Sequence, residues 1–122
     1  VKGYSLEIKE HCPNAVVIIV SNPLDVMTYV VHKYTGFQKE RILGMAGILD
    51  AARMAHFIYE KLGYGAGQIR ATVMGGHGDT MVPLPKFTTV AGVPIDDLLD
   101  SEEIGDIVRK TKAGGAQIVD LL

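Results

Sequence analysis

The feature that most constrains the fold is an unbroken apolar run over residues 15–20, which is rich in β-branched side chains. It lacks the polar alternation of a strand with one wet face, so it predicts a strand buried on both faces of a parallel sheet. Helical spacing flanks the run, over residues 1–11 before the Pro13-Asn14 break and from Asp25 until Gly36. A strand between two helices is typical of an α/β protein.

The rest of the chain continues this alternation and then becomes less regular. The pattern predicts a short strand over 41–45, a helix over 49–62 that Gly63 ends, a strand over 68–74, extended strands or a hairpin over 82–95, and an amphipathic helix from Ser101. We therefore expect a parallel sheet in residues 1–45 and an α+β section in residues 46–122. Because both ends fall within helix-like segments, we expect an excerpt of a longer protein.

Composition limits the function classes. Hydrophobic residues make up 48% of the chain and the formal net charge is -2, a balance typical of soluble globular proteins rather than disordered or nucleic-acid-binding ones. The longest apolar run is too short to span a bilayer, so we expect no membrane or nucleic-acid partner and a cytoplasmic location. The one cysteine, Cys12, excludes an internal disulfide, and we expect its thiol to be buried and inert.

Polar groups of complementary chemistry stand at the ends of the predicted elements. Asn22 follows the first strand, and His77 stands among glycines after the strand over 68–74. Asp50 and Arg53 are three residues apart in a helix, so they share one face, where the carboxylate can orient a histidine while the guanidinium holds an anion. These groups suit the reduction of a 2-keto acid, in which an imidazolium gives its proton to the developing alkoxide.

Each of these residues also has a more ordinary interpretation. A lone histidine is commonly a surface or satisfied core residue, and an acid-arginine pair at helical spacing is commonly a solvated ion pair. Because Ile48, Leu49 and Met54 are apolar, we expect the start of this helix to be buried instead. A metal site built from His77 and Asp79 is disfavoured, because no second histidine or cysteine stands at ligand spacing, and we predict no bound metal.

Three motifs carry a family resemblance: Ser21-Asn22-Pro23-Leu24-Asp25, Leu49-Asp50-Ala51-Ala52-Arg53 and Gly76-His77-Gly78-Asp79-Thr80. In residues, order and spacing they resemble the signature blocks of the NAD-dependent lactate and malate dehydrogenases. The segments over 44–50 and 75–83 are more similar to the malate branch. Ala51 stands where the family commonly has serine, which affects no catalytic group. The resemblance covers essentially the whole chain and implies the C-terminal part of a Rossmann-type parallel sheet, followed by the start of an α+β catalytic domain.

The resemblance also implies a role for each polar group. His77 would be the proton donor and acceptor, with Asp50 as its carboxylate partner. Arg53 would clamp the substrate's carboxylate, and Asn22 would donate a hydrogen bond to the reacting oxygen. The nicotinamide end of NAD would be lined by Val20, Ser21 and Asn22.

The implied function is the interconversion of (S)-malate and oxaloacetate by hydride transfer with NAD, as in the tricarboxylic acid cycle, with a His-Asp proton relay. L-lactate dehydrogenase and a catalytically inert structural fragment are the alternatives. The family's phosphate loop, its ribose-binding acid and its substrate-specificity loop have no counterpart in these residues, so we expect the excerpt alone to be inactive. These residues therefore leave open whether the substrate is malate or lactate and whether the cofactor is NAD or NADP. We expect the full-length protein to be a homo-oligomer, either a dimer or a tetramer.

Overall fold

The computed structural model describes residues 1–78 and 80–119, with side-chain surroundings as far as residue 115. The chain divides into two compact units, Val1–Ala46 and Gly47–Leu122. Among the described residues, no helix combines the length and the apolar character that crossing a membrane requires.

The first unit is a two-stranded parallel sheet with two helices. Its elements are α1 (Lys2–His11), β1 (Val17–Ile19), α2 (Leu24–Thr35) and β2 (Ile42–Gly44). The strands pair in parallel with Val17 opposite Ile42, and β2 directly follows a 3₁₀ turn. Helix α2 ends where Gly36 takes the left-handed conformation, with φ of 66°, which glycine adopts without strain. The predicted order of helix, strand, helix and strand is therefore confirmed.

Burial in this unit differs from the sequence prediction at two places. Val16, Ile18 and Val20 are exposed, whereas Ile19 belongs to the core cluster. Successive side chains of a strand point to opposite faces, and within this unit the core covers one face of β1. The expectation of a strand buried on both faces is thus wrong for the structure described. Cys12 is exposed as well, because it lies at the C-terminal cap of α1 rather than on a packed face.

The second unit combines two helices with short antiparallel strands. Its elements are α3 (Gly47–Leu62), β3 (Ile69–Arg70), β4 (Val73–Gly75), β5 (Met81–Pro83), β6 (Thr89–Val90), β7 (Val93–Pro94) and α4 (Ser101–Val119). One sheet has the order β3-β6-β7, and β4 pairs with β5 in a second sheet. Helices α3 and α4 pack against each other. Their shared core consists of Met54, Ile58, Ile69, Val90, Ile95 and Ile107.

The strand predicted over 68–74 is interrupted. Thr72 pairs in neither sheet. Its backbone N–H donates to the Thr88 hydroxyl at 3.1 Å, and its own hydroxyl donates to the Phe87 carbonyl at 2.9 Å. The chain consequently leaves one sheet after Arg70 and enters the other at Val73. The hairpin predicted over 82–95 is present as β6 and β7, which pair in antiparallel register.

Helix α4 begins at Ser101, as predicted, and the residue before it is the cap. One carboxylate oxygen of Asp100 accepts hydrogen bonds from the backbone N–H groups of Glu102 and Glu103, each at 2.9 Å. The Glu103 carboxylate in turn accepts a bond from the Asp100 N–H at 3.2 Å. This reciprocal arrangement is a capping box, and it satisfies N–H groups that the first turn of a helix leaves without partners.

Replacing Asp100 with alanine should lower the free energy of unfolding of the full-length protein by about 1 kcal/mol, because two N–H groups lose their acceptor. Urea denaturation of the wild type and the variant measures this difference. Asp97→Ala is the control, since Asp97 is an exposed acid in the preceding turn. Equal losses of stability in both variants would contradict a capping role for Asp100.

Candidate active site

The site is organised around one buried carboxylate. Asp50 lies in the first turn of α3 and is 2% exposed. One of its oxygens lies 2.8 Å from His77 Nδ1, and the other accepts a hydrogen bond from a terminal nitrogen of Arg53 at 3.2 Å. A buried carboxylate is tolerated when it is paired and hydrogen-bonded. Both oxygens of Asp50 meet that condition.

Helical geometry accounts for the burial of Asp50. Asp50, Met54 and Ile58 are the buried residues of α3, and a spacing of four residues places them in one stripe on the inward face. Ile48 is 74% exposed and Leu49 is exposed too. The expectation that the start of this helix is buried is therefore wrong at Ile48 and Leu49, and within the first turn only Asp50 is buried. They lie off the stripe that Asp50 shares with Met54.

Arg53 is held beside Asp50 by the same helix. The two residues are one turn apart, and the side chain of Arg53 is 19% exposed. A guanidinium carries five N–H donors in a fixed plane, and among the described residues Asp50 takes one of them. The remaining donors suit a second carboxylate, because a planar pair of N–H groups matches its two oxygens. The ordinary interpretation, a solvated surface ion pair, does not fit a carboxylate that is almost fully buried.

His77 lies in the turn between β4 and β5. The Met81 N–H donates to the Gly78 carbonyl at 2.9 Å and closes the turn. A β-carbon built at Gly75 or Gly76 would overlap Thr80, so only glycine allows the two sides of the turn to come this close. This tight turn directs the His77 ring towards Asp50 across 27 residues of sequence. Asp79, which we weighed beside His77 as a metal ligand and disfavoured, lies outside the described residues.

The His77 ring has one nitrogen for the protein and one for a ligand. Its Nδ1 faces the Asp50 carboxylate, which can only accept a hydrogen bond from an N–H group. The His77 side chain is 17% exposed. The acceptor role of Asp50 assigns the hydrogen of the neutral ring to Nδ1. Nε2 is then an acceptor in the neutral ring and a donor in the protonated ring. The arrangement can therefore move one proton at Nε2 while Asp50 keeps the ring oriented.

The cofactor-binding candidates Val20, Ser21 and Asn22 belong to the first unit. They follow β1 directly, all three are exposed, and the peptide bond between Asn22 and Pro23 is cis. Ligands of open α/β sheets bind beyond the carboxyl ends of strands, which is where these residues stand. The second unit brings together His77, Asp50 and Arg53, and the first unit presents the Asn22 amide at the end of its own strand.

Sequence reasoning missed two residues that support the site. Gly114 is buried and Gly115 is half-buried in α4, and both lie against the side chain of Arg53. The available signal was a Gly-Gly pair inside an amphipathic helical pattern, since glycine is unfavourable in a helix interior compared with most residues. Within the part of the chain that the structure describes, no group of three or more His, Cys, Asp or Glu side chains could hold a metal ion.

Comparison with known proteins identifies the family. Residues 1–44 match the lactate/malate dehydrogenase NAD binding domain, and residues 48–121 match the lactate/malate dehydrogenase alpha/beta C-terminal domain. The chain is 64% identical to a malate dehydrogenase of Nitratiruptor sp. over 115 residues, which is 94% of this chain and 36% of that protein. It is 48% identical to the malate dehydrogenase of Salinibacter ruber over 122 residues, which is 100% of this chain and 39% of that one.

Solved structures agree with the sequence comparison. The structure of malate dehydrogenase from Salinibacter ruber superposes with a TM-score of 0.95 at 48% identity, over 99% of this chain and 40% of that chain. A lactate dehydrogenase of Cryptosporidium parvum, complexed with lactic acid and NAD, superposes with a TM-score of 0.92 at 38% identity, over 98% and 39% of the two chains. The chain therefore belongs to the lactate/malate dehydrogenase family.

This membership confirms the predicted fold class. The first unit is the C-terminal part of a Rossmann-type NAD-binding domain, and the second begins the α+β catalytic domain. The chain spans 36% and 39% of the two malate dehydrogenases named above.

Proposed function

We propose that the full-length protein interconverts (S)-malate and oxaloacetate by hydride transfer with NAD. The observation that carries this proposal is the contact of a single buried carboxylate, Asp50, with both His77 and Arg53. A proton-transferring ring and an anion-binding guanidinium are thereby fixed to the same group. The malate dehydrogenases among the relatives support the choice of substrate.

His77 supplies the proton in the direction of reduction. A carbonyl that receives hydride becomes an alkoxide, which needs a proton at once, and the Nε2–H of the protonated ring donates it. Asp50 accepts the Nδ1–H throughout, so it fixes the ring orientation and stabilises the charged ring by its negative charge. In the direction of oxidation the neutral ring takes the same proton back from the hydroxyl group at Nε2.

Arg53 orients the substrate through the carboxylate next to the reacting carbon. Two parallel N–H donors fix the plane of a carboxylate as well as its position, which places the carbonyl in a defined direction. Because Arg53 is tied to Asp50 at 3.2 Å, the anion-binding group and the proton donor keep a constant separation. Asn22 donates a hydrogen bond to the reacting oxygen in this scheme.

The residues at the end of β1 fit a nicotinamide. Val20 offers an apolar side chain and Asn22 offers an amide, and both are exposed directly after a parallel strand. NAD, when bound there, accepts or supplies the hydride. The contribution of Val20, Ser21 and Asn22 is to orient the ring and to cover one side of it.

L-lactate dehydrogenase is the second candidate function. It is favoured by the superposition on the Cryptosporidium parvum lactate dehydrogenase, and the trio of Asp50, Arg53 and His77 serves any 2-hydroxy acid. Oxaloacetate differs from pyruvate by a second carboxylate, which a matching donor would bind. A homo-oligomeric assembly, a cytoplasmic location and a place in the tricarboxylic acid cycle stay predictions from the sequence.

Steady-state kinetics of the full-length protein with NADH test the proposal. The kcat/KM for oxaloacetate should exceed that for pyruvate by about 10- to 100-fold, since one more charged hydrogen bond is made. The same assay with NADPH compares the two cofactors. A preference for pyruvate would favour the lactate dehydrogenase alternative, and no turnover of either 2-keto acid would contradict both.

A further inference from the structure

The side chain of Arg53 rests against two consecutive glycines of α4. A β-carbon built at Gly114 would lie 3.4 Å from Arg53 Cδ, 3.8 Å from Nε and 4.0 Å from Cγ. A β-carbon at Gly115 would lie 3.7 Å and 3.9 Å from the two terminal nitrogens. Gly114 therefore adjoins the apolar stem of the arginine, and Gly115 adjoins its charged end.

The third glycine of α4 provides a contrast. Gly105 is exposed, and a β-carbon built there would meet nothing within 4 Å. The close approach to Arg53 is thus a property of the positions 114 and 115 rather than of glycine in this helix. Glycine is also unfavourable in a helix interior compared with most residues. The helix has its least favourable pair of residues where the arginine lies.

The side chain of Arg53 is confined on two sides. Asp50 holds one terminal nitrogen at 3.2 Å from its own helix, and the glycines of α4 border the stem and the two terminal nitrogens. A side chain larger than alanine at position 114 would extend beyond the 3.4 Å contact and displace the stem. The guanidinium would then shift relative to Asp50, and with it any bound carboxylate.

We propose that Gly114 and Gly115 are positioning residues that seat Arg53 and set the place of the substrate carboxylate. This inference rests on the proposed function of Arg53 in substrate binding. The glycines touch no reacting atom and act through the arginine alone. Their signature is therefore a change in substrate affinity that depends on Arg53.

Three variants of the full-length protein test whether Gly114 positions Arg53. Gly114→Ala places a β-carbon at ordinary contact distance, so KM for oxaloacetate should stay within about 2-fold of wild type. Gly114→Val should lower kcat/KM by about 10-fold or more, mainly through KM, because a small misplacement of a binding group is costly. Gly105→Val carries the same change of helix propensity without the contact, and its kinetics should match wild type.

A double-mutant cycle with Arg53→Ala separates positioning from general damage to the helix, because alanine lacks the Cγ and Cδ atoms that lie against Gly114, whereas lysine keeps them. If Gly114 acts through the arginine, Gly114→Val should change KM by less than about 2-fold in the Arg53→Ala background. An equal effect in both backgrounds would overturn the inference. If Arg53→Ala itself leaves KM unchanged, the proposed role of Arg53 is wrong. A raised KM for Arg53→Ala combined with normal kinetics for Gly114→Val would overturn only the positioning role of the glycine.

Thermal unfolding of each variant controls for misfolding. Should Gly114→Val fail to fold, Gly115→Val takes its place, because its side chain meets the guanidinium nitrogens rather than the packed stem. The comparison with Gly105→Val and the cycle with Arg53→Ala apply to it unchanged. A folded Gly115→Val protein with wild-type KM would contradict the proposal.

Discussion

Replacing Asp50 with asparagine should lower the reductive kcat/KM of the full-length protein by about 10²-fold, which is typical of an acid-base contribution. The amide has nearly the shape of the carboxylate, so the fold should persist. It removes the negative charge 2.8 Å from His77 Nδ1 that favours the protonated ring. The amide also has one oxygen in place of two, and both partners of Asp50 are donors, so one of the two contacts is lost.

The direction of the reaction gives this prediction its sign. Reduction consumes a proton from the ring, and oxidation needs the free base. The Asp50→Asn variant carries no negative charge beside the ring, so its effect should be largest in the direction that starts from the protonated ring. Near neutral pH, reduction should lose more rate than oxidation. Measuring kcat/KM in both directions across pH decides the matter, and His77→Asn should be impaired in both directions.

Asp106→Asn is the matched control. Asp106 accepts a hydrogen bond from Arg109 three residues later at 2.7 Å, as Asp50 does from Arg53, but the Arg109 side chain is 73% exposed. The hydrogen bond from Lys110 holds the pKa of the Asp106 carboxyl below its ordinary value of 3.8, so its pairing contributes at neutral pH and is lost only in acid. Asp106→Asn should leave both profiles unchanged. An unchanged reductive profile for Asp50→Asn would exclude the proton relay.

Replacing Arg53 with lysine should raise KM for oxaloacetate and lower kcat/KM by about 10²-fold. Lysine keeps the charge but not the planar pair of donors, so it can attract a carboxylate without fixing its plane. It also loses the reach that lets one nitrogen bind Asp50 while others face the substrate. Steady-state kinetics with varied oxaloacetate measure the effect.

Arg109→Lys is the control for this substitution, because Arg109 is also paired with an acid one helical turn before it and lies on the surface of α4. Its kinetics should equal those of wild type. If Arg53→Lys behaved in the same way, Arg53 would be a structural partner of Asp50 and no part of the substrate site.

Local periodicity predicted the helices well and the contacts between elements less well. The pairing of Asp50 with Arg53 follows from helical spacing, because side chains three residues apart in a helix are neighbours on one face. The contact of His77 with Asp50 joins residues 27 positions apart, so spacing gave no distance for it. The family resemblance led to that pair, and the geometry of the second unit brings the two side chains together.

The errors have the same origin. Burial of Ile18 depends on what covers each face of β1, and the apolar run itself does not contain that information. The interruption at Thr72 depends on a backbone carbonyl 15 residues away and a side-chain hydroxyl 16 residues away. Gly114 and Gly115 were missed because their importance lies in the arginine that α3 places against them. Residues whose neighbours come from other elements need the tertiary structure.

Under the function we propose, the shared stripe of Asp50, Met54 and Ile58 couples the chemistry at Asp50 to the packing of the interior. A substitution that rotates or shifts α3 to fill or relieve space around Met54 also moves the carboxylate one turn before it. Adaptation to a new temperature through this part of the interior would therefore also move the carboxylate that orients His77, the proposed proton donor. Substitutions away from the inward face of α3 would change stability without moving Asp50.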